Sequence, residues 1–230
     1  MELFIHLQTT HQGMPRIIKL EEYNSTLKDV HLILGEGLCS NIYTIGKKHA
    51  TIIDPGVGNW ANPVWPQLEE IGIEPDNIDK VIITHAHHDH ASGVFIILQR
   101  TNPKVYIHKD DTKYIASDLG ENLVKVEEGD IIETELWPLT VIHTPGHTEG
   151  GMTLYNQEYS LMFTGDTVFA EGLYGNYIGE SGGIHQMVAS LKKLTEHKTD
   201  IIMPGHGSPV FKDADQHITI AHQKASRKIN

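Results

Sequence analysis

The chain reads as an α/β protein with its sheets inside and its helices outside, forming one unit over residues 1–230. Three observations point there. Short apolar runs of strand length alternate with segments whose apolar residues fall at helical spacing. Residues of metal-ligand type stand at the carboxyl ends of several of those runs, where ligands gather in α/β folds. No linker, repeat or low-complexity segment divides the chain, and 230 residues suit one substantial domain.

In chain order, Ile17 to Leu20, Val30 to Leu34, Asn41 to Ile45 and Ala50 to Ile53 are short strands punctuated by Gly35, Gly37 and Gly46, an antiparallel meander ending at Asp54-Pro55-Gly56. Gly58 to Pro66 is a loop carrying Trp60 and Trp65, and Pro66 opens a helix that Gly72 stops. Val81 to Ile83 is a strand, Thr84 to His90 a ligand-rich turn, and Gly93 to Arg100 a helix. Val105 to Ile107 is a strand and Asp110 to Ser117 helical. Leu123 to Val126 and Ile131 to Glu133 are expected to form a hairpin around Glu127-Glu128-Gly129-Asp130. Leu139 to His143 leads into Thr144-Pro145-Gly146-His147, and Met152 to Tyr155 pairs with Leu161 to Thr164. A Gly-rich loop from Gly165 to Gly183 precedes a helix over Ile184 to Thr195, with Ile184, Met187, Val188, Leu191 and Leu194 on one face. Ile201 to Met203 is the last strand, and a polar helix from Asp213 to Lys228 closes the chain.

Composition narrows the function classes. A formal net charge of −12 disfavours nucleic-acid and anionic-membrane surfaces, which select Lys and Arg patches. The single cysteine, Cys39, excludes an intramolecular disulfide and a thiolate-rich zinc site, and reads as a small buried side chain. The amino terminus lacks a basic segment followed by an apolar core, and no apolar run reaches the ~20 residues of a membrane span. A cytoplasmic protein acting on a small molecule, without nucleic-acid or membrane partners, is expected.

The 16 histidines are the compositional outlier, and their placement carries the argument. His85, His87, Asp89 and His90 crowd one turn; His147, Asp166 and His206 each stand beside a glycine after an apolar run. A turn this dense in imidazole is hard to explain by packing, because each buried ring needs its own hydrogen-bond partner. Seven N and O donors exceed two three-ligand sites by one, and a bridging carboxylate closes the count; Asp166 is the natural bridge. Two divalent ions at about 3.5–4 Å are a common hydrolytic arrangement. Zinc is the first expectation for the ions, with iron or manganese as alternatives. His88 should point away from the ions. Asp54 should orient a ligand imidazole. His143 either supports the site or merely ends its strand. Trp60, Trp65, Tyr174 and Tyr177 either line a substrate pocket or pack their loops.

The runs Thr-His-Ala-His-His-Asp-His (84–90), Thr-Pro-Gly-His-Thr (144–148), Phe-Thr-Gly-Asp-Thr (163–167) and Pro-Gly-His-Gly (204–207) together resemble the metallo-β-lactamase superfamily, most of all its glyoxalase II-like branch. The resemblance runs from about Val30 to Gly207. It implies a four-layer αββα sandwich with the site at one edge of two facing sheets. It also implies one metal on His85, His87 and His147, a second on Asp89, His90 and His206, and Asp166 as bridge. Four departures bear on substrate. β-Lactamases of the main type carry a cysteine where Asp166 stands. Glyoxalase II enzymes add a helical carboxyl-terminal part, and place a basic residue soon after the bridging Asp, where this chain reads Phe169 to Asn176 without Lys or Arg. Lactone hydrolases of the superfamily place a Tyr where Phe169 stands, a role Tyr174 or Tyr177 could fill.

The expected function is metal-dependent hydrolysis of an ester-like carbonyl, thioester first and lactone second. A hydroxide held between two ions would attack, and Asp89 or Asp166 would orient it and move its proton. The alternatives are persulfide oxygenation at a single iron, which the resemblance also accommodates, and a non-catalytic metal-binding module.

Overall fold

The computed structural model describes residues 17–59, 63–176 and 183–229. Within them, a seven-stranded sheet faces a five-stranded one. The first sheet runs in chain order: β1 (Ile17–Lys19), β2 (Val30–Ile33), β3 (Ile42–Ile45), β4 (Ala50–Ile53), β5 (Ile78–Ile83), β6 (Lys104–His108) and β7 (Leu123–Val126). Its first four strands form the expected antiparallel meander, and β4 through β7 are parallel. The second sheet has the order β12-β11-β10-β9-β8, built from β8 (Ile131–Ile132), β9 (Leu139–His143), β10 (Met152–Asn156), β11 (Leu161–Gly165) and β12 (Ile201–Pro204). Among the described residues six α-helices accompany them: α1 (Val64–Ile71), α2 (His88–Ala91), α3 (Gly93–Ile97), α4 (Ala116–Leu119), α5 (Ile184–Leu194) and α6 (Ala214–Ser226).

Strand periodicity sorts the apolar residues into layers. Successive strand residues face opposite sides, so a strand covered on both faces reads as a continuous apolar run. In β5, Ile82 enters the core between the sheets, while Val81 and Ile83 face outward against α1, α2 and α3. In β11, Leu161 and Phe163 face the inter-sheet core and Met162 faces α5 and α6. The layers are helix, sheet, sheet, helix, the four-layer sandwich that the resemblance implies. Tyr43 and Phe163 meet edge-on between the sheets, centroids 5.2 Å apart, an arrangement that adds roughly 0.5–1.5 kcal/mol beyond burial.

Three expectations need correction. Leu123–Val126 and Ile131–Ile132 form no hairpin: β7 pairs with β6, β8 pairs with β9, and the segment between them crosses from one sheet to the other. The helix expected at Pro66 starts earlier, at Val64. Pro66 is then its third residue, whose N–H would have no partner in any case. Asp110 to Ser117 is mostly a 3-10 turn, Lys109–Tyr114, followed by the short α4.

Candidate metal centre

Five strands deliver side chains to one edge of the sandwich: β4 (Asp54), β5 (His85 to His90), β9 (His147), β11 (Asp166) and β12 (His206). After β5 the chain turns and winds into α2, with His87 still extended at its cap (φ −66°, ψ 145°). His88 opens that helix and is exposed, as expected, whereas His90 is fully buried. Gly146 and Gly165 adopt positive φ, +139° and +47°, ahead of His147 and Asp166. Gly205 serves differently. A Cβ there would lie 2.4 Å from Asp166 Oδ1 and 2.6 Å from His90 Cε1, so the glycine makes room for the site.

The seven predicted ligands converge. Ligand atoms of His85, His87 and His147 lie within 4.8 Å of one another, and so do those of Asp89, His90 and His206. Asp166 stands between the two groups. Its Oδ2 is 3.4 Å from His147 Nε2 and 3.7 Å from His206 Nε2, and its Oδ1 is 3.4 Å from His90 Nε2. Within the second group, His206 Nε2 is 3.1 Å from Asp89 Oδ2 and 3.2 Å from His90 Nε2.

The hydrogen bonds behind the rings fix which nitrogen faces inward. Asp54, buried and at positive φ, accepts from Thr84 N and Thr84 Oγ1, each at 2.7 Å, and from His90 Nδ1 at 2.9 Å. Because the Thr84 hydroxyl gives its proton to Asp54, it can only accept from His85 Nδ1, 3.1 Å away. His147 Nδ1 donates to the Asn176 carbonyl at 2.6 Å. In all three rings Nδ1 thus carries hydrogen and Nε2 is the nitrogen that faces the cluster, the orientation a metal ligand requires. Asp54 thus contacts His90 directly and His85 through Thr84.

Electrostatics follow from burial and crowding. Burial, reinforced by the neighbouring imidazoles, holds His85 well below the ordinary histidine value, and His87 is lowered for the same reasons. Burial opposes a charge on His90, but Asp166 and Asp54 outweigh it and raise that ring. Burial would likewise raise Asp89, yet the hydrogen bond from His206 and the charge of His90 bring it down to about 2.

Buried polar atoms left unpaired identify what the cluster fits. His85 Nε2, His147 Nε2 and Asp166 Oδ1 are buried without a hydrogen-bond partner. Each such atom costs about 1–3 kcal/mol if nothing satisfies it. Three of them converging among N and O donors match a divalent cation of the Zn, Fe or Mn type.

Other candidates lie elsewhere. His143 stacks on His108, centroids 3.9 Å apart with ring planes at 9°, and donates from Nε2 to the Glu149 carbonyl at 2.8 Å. Those two rings and Asp110 form a further His/Asp group. Parallel rings cannot aim in-plane lone pairs at one ion, so hydrogen bonding accounts for this group. Trp65 packs among the outer core residues on α1, donates to the Ile96 carbonyl at 3.2 Å, and carries the Arg100 guanidinium over its ring. Tyr174 is half-buried against the apolar layer of α5 and α6. Trp60 and Tyr177 lie outside the described residues. Cys39 is buried, as expected, and its Sγ accepts from Val57 N at 3.4 Å.

One residue escaped sequence reasoning. Asp111 is fully buried and accepts from Ala86 N, Thr148 Oγ1 and Gly150 N. Its partners are mostly backbone groups far along the chain, and Asp110-Asp111 reads locally as exposed charge.

A four-layer sandwich with a His/Asp cluster at one sheet edge defines the class, and the comparisons agree. The metallo-beta-lactamase superfamily model matches residues 35–206, and the chain belongs to that superfamily. A protein of Methanocaldococcus jannaschii described as a probable metallo-hydrolase is 33% identical over 75% of this chain and 90% of its own length. The hydroxyacylglutathione hydrolase of Serratia proteamaculans is 34% identical over 64% of this chain. The match spans only 53% of that enzyme, about half its length. Among solved structures, TTHA1623 in a di-iron-bound form superposes with a TM-score of 0.65 at 25% identity, covering 78% of this chain and 93% of that one. Among the described residues no helix is long and apolar enough to cross a membrane.

Proposed function

We propose that the protein is a metal-dependent hydrolase of ester-like carbonyls, with a thioester as substrate, built on two divalent ions. The observation that carries this reading is Asp166, which faces both donor groups within a cluster where His85 Nε2, His147 Nε2 and Asp166 Oδ1 are buried without a hydrogen bond. His85, His87 and His147 would hold one ion, Asp89, His90 and His206 the other, with Asp166 shared. Zinc is the first candidate occupant. Iron is the alternative, supported by the di-iron form of TTHA1623.

Bound ions of this kind polarise a carbonyl and bring the pKa of water to about 7. The chain supplies orientation. Asp89, brought down to about 2, is ionised at neutral pH and only partly buried; so weak a base would orient attacking water by accepting its hydrogen bond rather than hold its proton. Phe169 places its ring edge-on to His206, centroids 6.4 Å apart, and offers no O–H to an alkoxide. A thiolate needs less acid assistance than an alkoxide, which ranks thioesters above lactones.

The relatives named for hydroxyacylglutathione hydrolysis support the reaction type more than the carrier. Trp137 to Leu191, the stretch bearing His147, Asp166 and Tyr174, contains no Lys or Arg, and the lysines that reach it from outside are engaged, Lys113 by Glu149, Lys193 by Glu128 and the His143 carbonyl, and Lys224 by the Glu171 carbonyl, which disfavours an anionic tripeptide. The acyl carrier is accordingly a small molecule of low negative charge.

The test is a substrate panel on metal-loaded protein: neutral thioesters, a glutathione thioester, lactones and a glutathione persulfide. The expected result is thioester hydrolysis with kcat/KM of at least about 10⁴ M⁻¹s⁻¹, with neutral carriers preferred. Oxygen uptake on the persulfide without thioester turnover would overturn the reading.

A further inference from the structure

We infer that Asp111 is a positioning residue that sets the spacing of the His85, His87 and His147 donors without touching any of them. The inference rests on the proposed reading of those three histidines as one ion's ligands. Asp111 follows β6 in the 3-10 turn Lys109–Tyr114 and has no exposed surface. Its Oδ2 accepts from Ala86 N at 3.0 Å and from Thr148 Oγ1 at 2.8 Å, and its Oδ1 accepts from Gly150 N at 2.7 Å.

Those partners are the link. Ala86 lies between His85 and His87, and Thr148 follows His147. The first pair of histidines hangs from the seven-stranded sheet, the third from the five-stranded sheet. One carboxylate therefore ties together, across the two sheets, the backbone segments that carry all three imidazoles. The site makes room for it: a Cβ on Gly150 would lie 2.7 Å from Asp111 Cβ and Cγ and 2.5 Å from its backbone nitrogen. The second donor group has no such tie to Asp111. His90 is held by Asp54, and Asp89 and His206 by one another.

A carboxylate is needed because both backbone partners donate. An amide at this position must turn its NH₂ toward either Ala86 N–H or Gly150 N–H, and one of those contacts is lost in either orientation. Partners one layer behind metal ligands change ion affinity by about 10–100-fold when removed.

The experiment separates the two ions by background. His206→Ala leaves the three-histidine group as the tight site, and His147→Ala leaves the other group. Asp111→Asn is introduced into each, and Co²⁺ affinity is measured by chelator competition, with the thermal midpoint of the metal-free protein recorded alongside. The expected result is a 10–100-fold loss of Co²⁺ affinity in the His206→Ala background and less than about threefold in the His147→Ala background. Equal losses in both, or none in either, would overturn the inference and mark Asp111 as a general structural tie. If neither single-histidine variant retains one Co²⁺, the two-ion reading fails instead. If Asp111→Asn does not fold, Thr148→Val removes one of the three contacts at constant volume. It should then weaken the His206→Ala ion alone, and an unchanged affinity would count against the inference equally.

Discussion

In the half of the metal centre built from His85, His87 and His147, the rings lean on neutral groups: a threonine hydroxyl behind His85 and a backbone carbonyl behind His147. In the half built from Asp89, His90 and His206, a buried carboxylate stands directly behind His90, and the ligand atoms already contact one another. The first half keeps two imidazole nitrogens without a hydrogen bond, one of them 3.4 Å from Asp166. The second satisfies itself internally. Geometry for an ion is therefore more fully prepared in the three-histidine half, whereas an ion entering the second half must displace existing contacts. Asp166 joins the two and should be needed by both.

The largest effect should come from that shared residue. Asp166→Ala is expected to lower kcat/KM by about 10³-fold or more and to reduce the ions retained per chain, while circular dichroism shows the fold intact. Retention of two ions with full turnover would dissolve the distinction between a shared and a private ligand. Asp54→Asn should act next. It touches His90 directly but reaches His85 only through Thr84. A loss of about 10–100-fold in affinity is expected for the second-half ion, and a smaller one for the first. Equal losses, read by the same chelator competition, would show that the halves share one support.

The smallest effect belongs to a tie at the opposite end of the sheets. Glu135 accepts from the backbone N–H groups of Lys47, Lys48 and His49, joining the β3–β4 turn to the segment between β8 and β9. Its slight burial opposes ionisation, but those three donors hold the carboxyl below its usual value. A depressed carboxyl stabilises the fold above its unfolded pKa of about 4.3, and that contribution fades as pH falls through the lower folded value. Because the group is exposed, Glu135→Gln should cost only about 1 kcal/mol at pH 7. The gap from the parent should close below about pH 4, and both ion affinities should stay unchanged. A persistent gap at pH 3 would assign the effect to packing.

Strands and ligands were legible in the sequence for different reasons. Strands such as Val81 to Ile83 are covered on both faces and so read as apolar runs, and donors such as His147 and His206 stand beside glycines after such runs. What pairs with what was not legible. Glu127 to Asp130 has the composition of a hairpin turn, yet Gly129 N donates to Val141 O and Val141 N donates to Asp130 O, contacts that draw the segment to the other sheet. Trp65 looked like a loop residue because Pro66 follows it, although a proline is tolerated in a helix's first turn. Asp111 was hidden most completely, since nothing local marks a carboxylate whose partners lie 25 to 39 residues away.

Stepwise Zn²⁺ titration of metal-stripped protein, with bound metal and thioester hydrolysis followed in the same samples, tests the two-ion hydrolase most directly. The account predicts two ions per chain, the tighter one on the three-histidine half, and full activity only as the second is bound. Full activity at one ion per chain, or no thioester turnover at two, would contradict it.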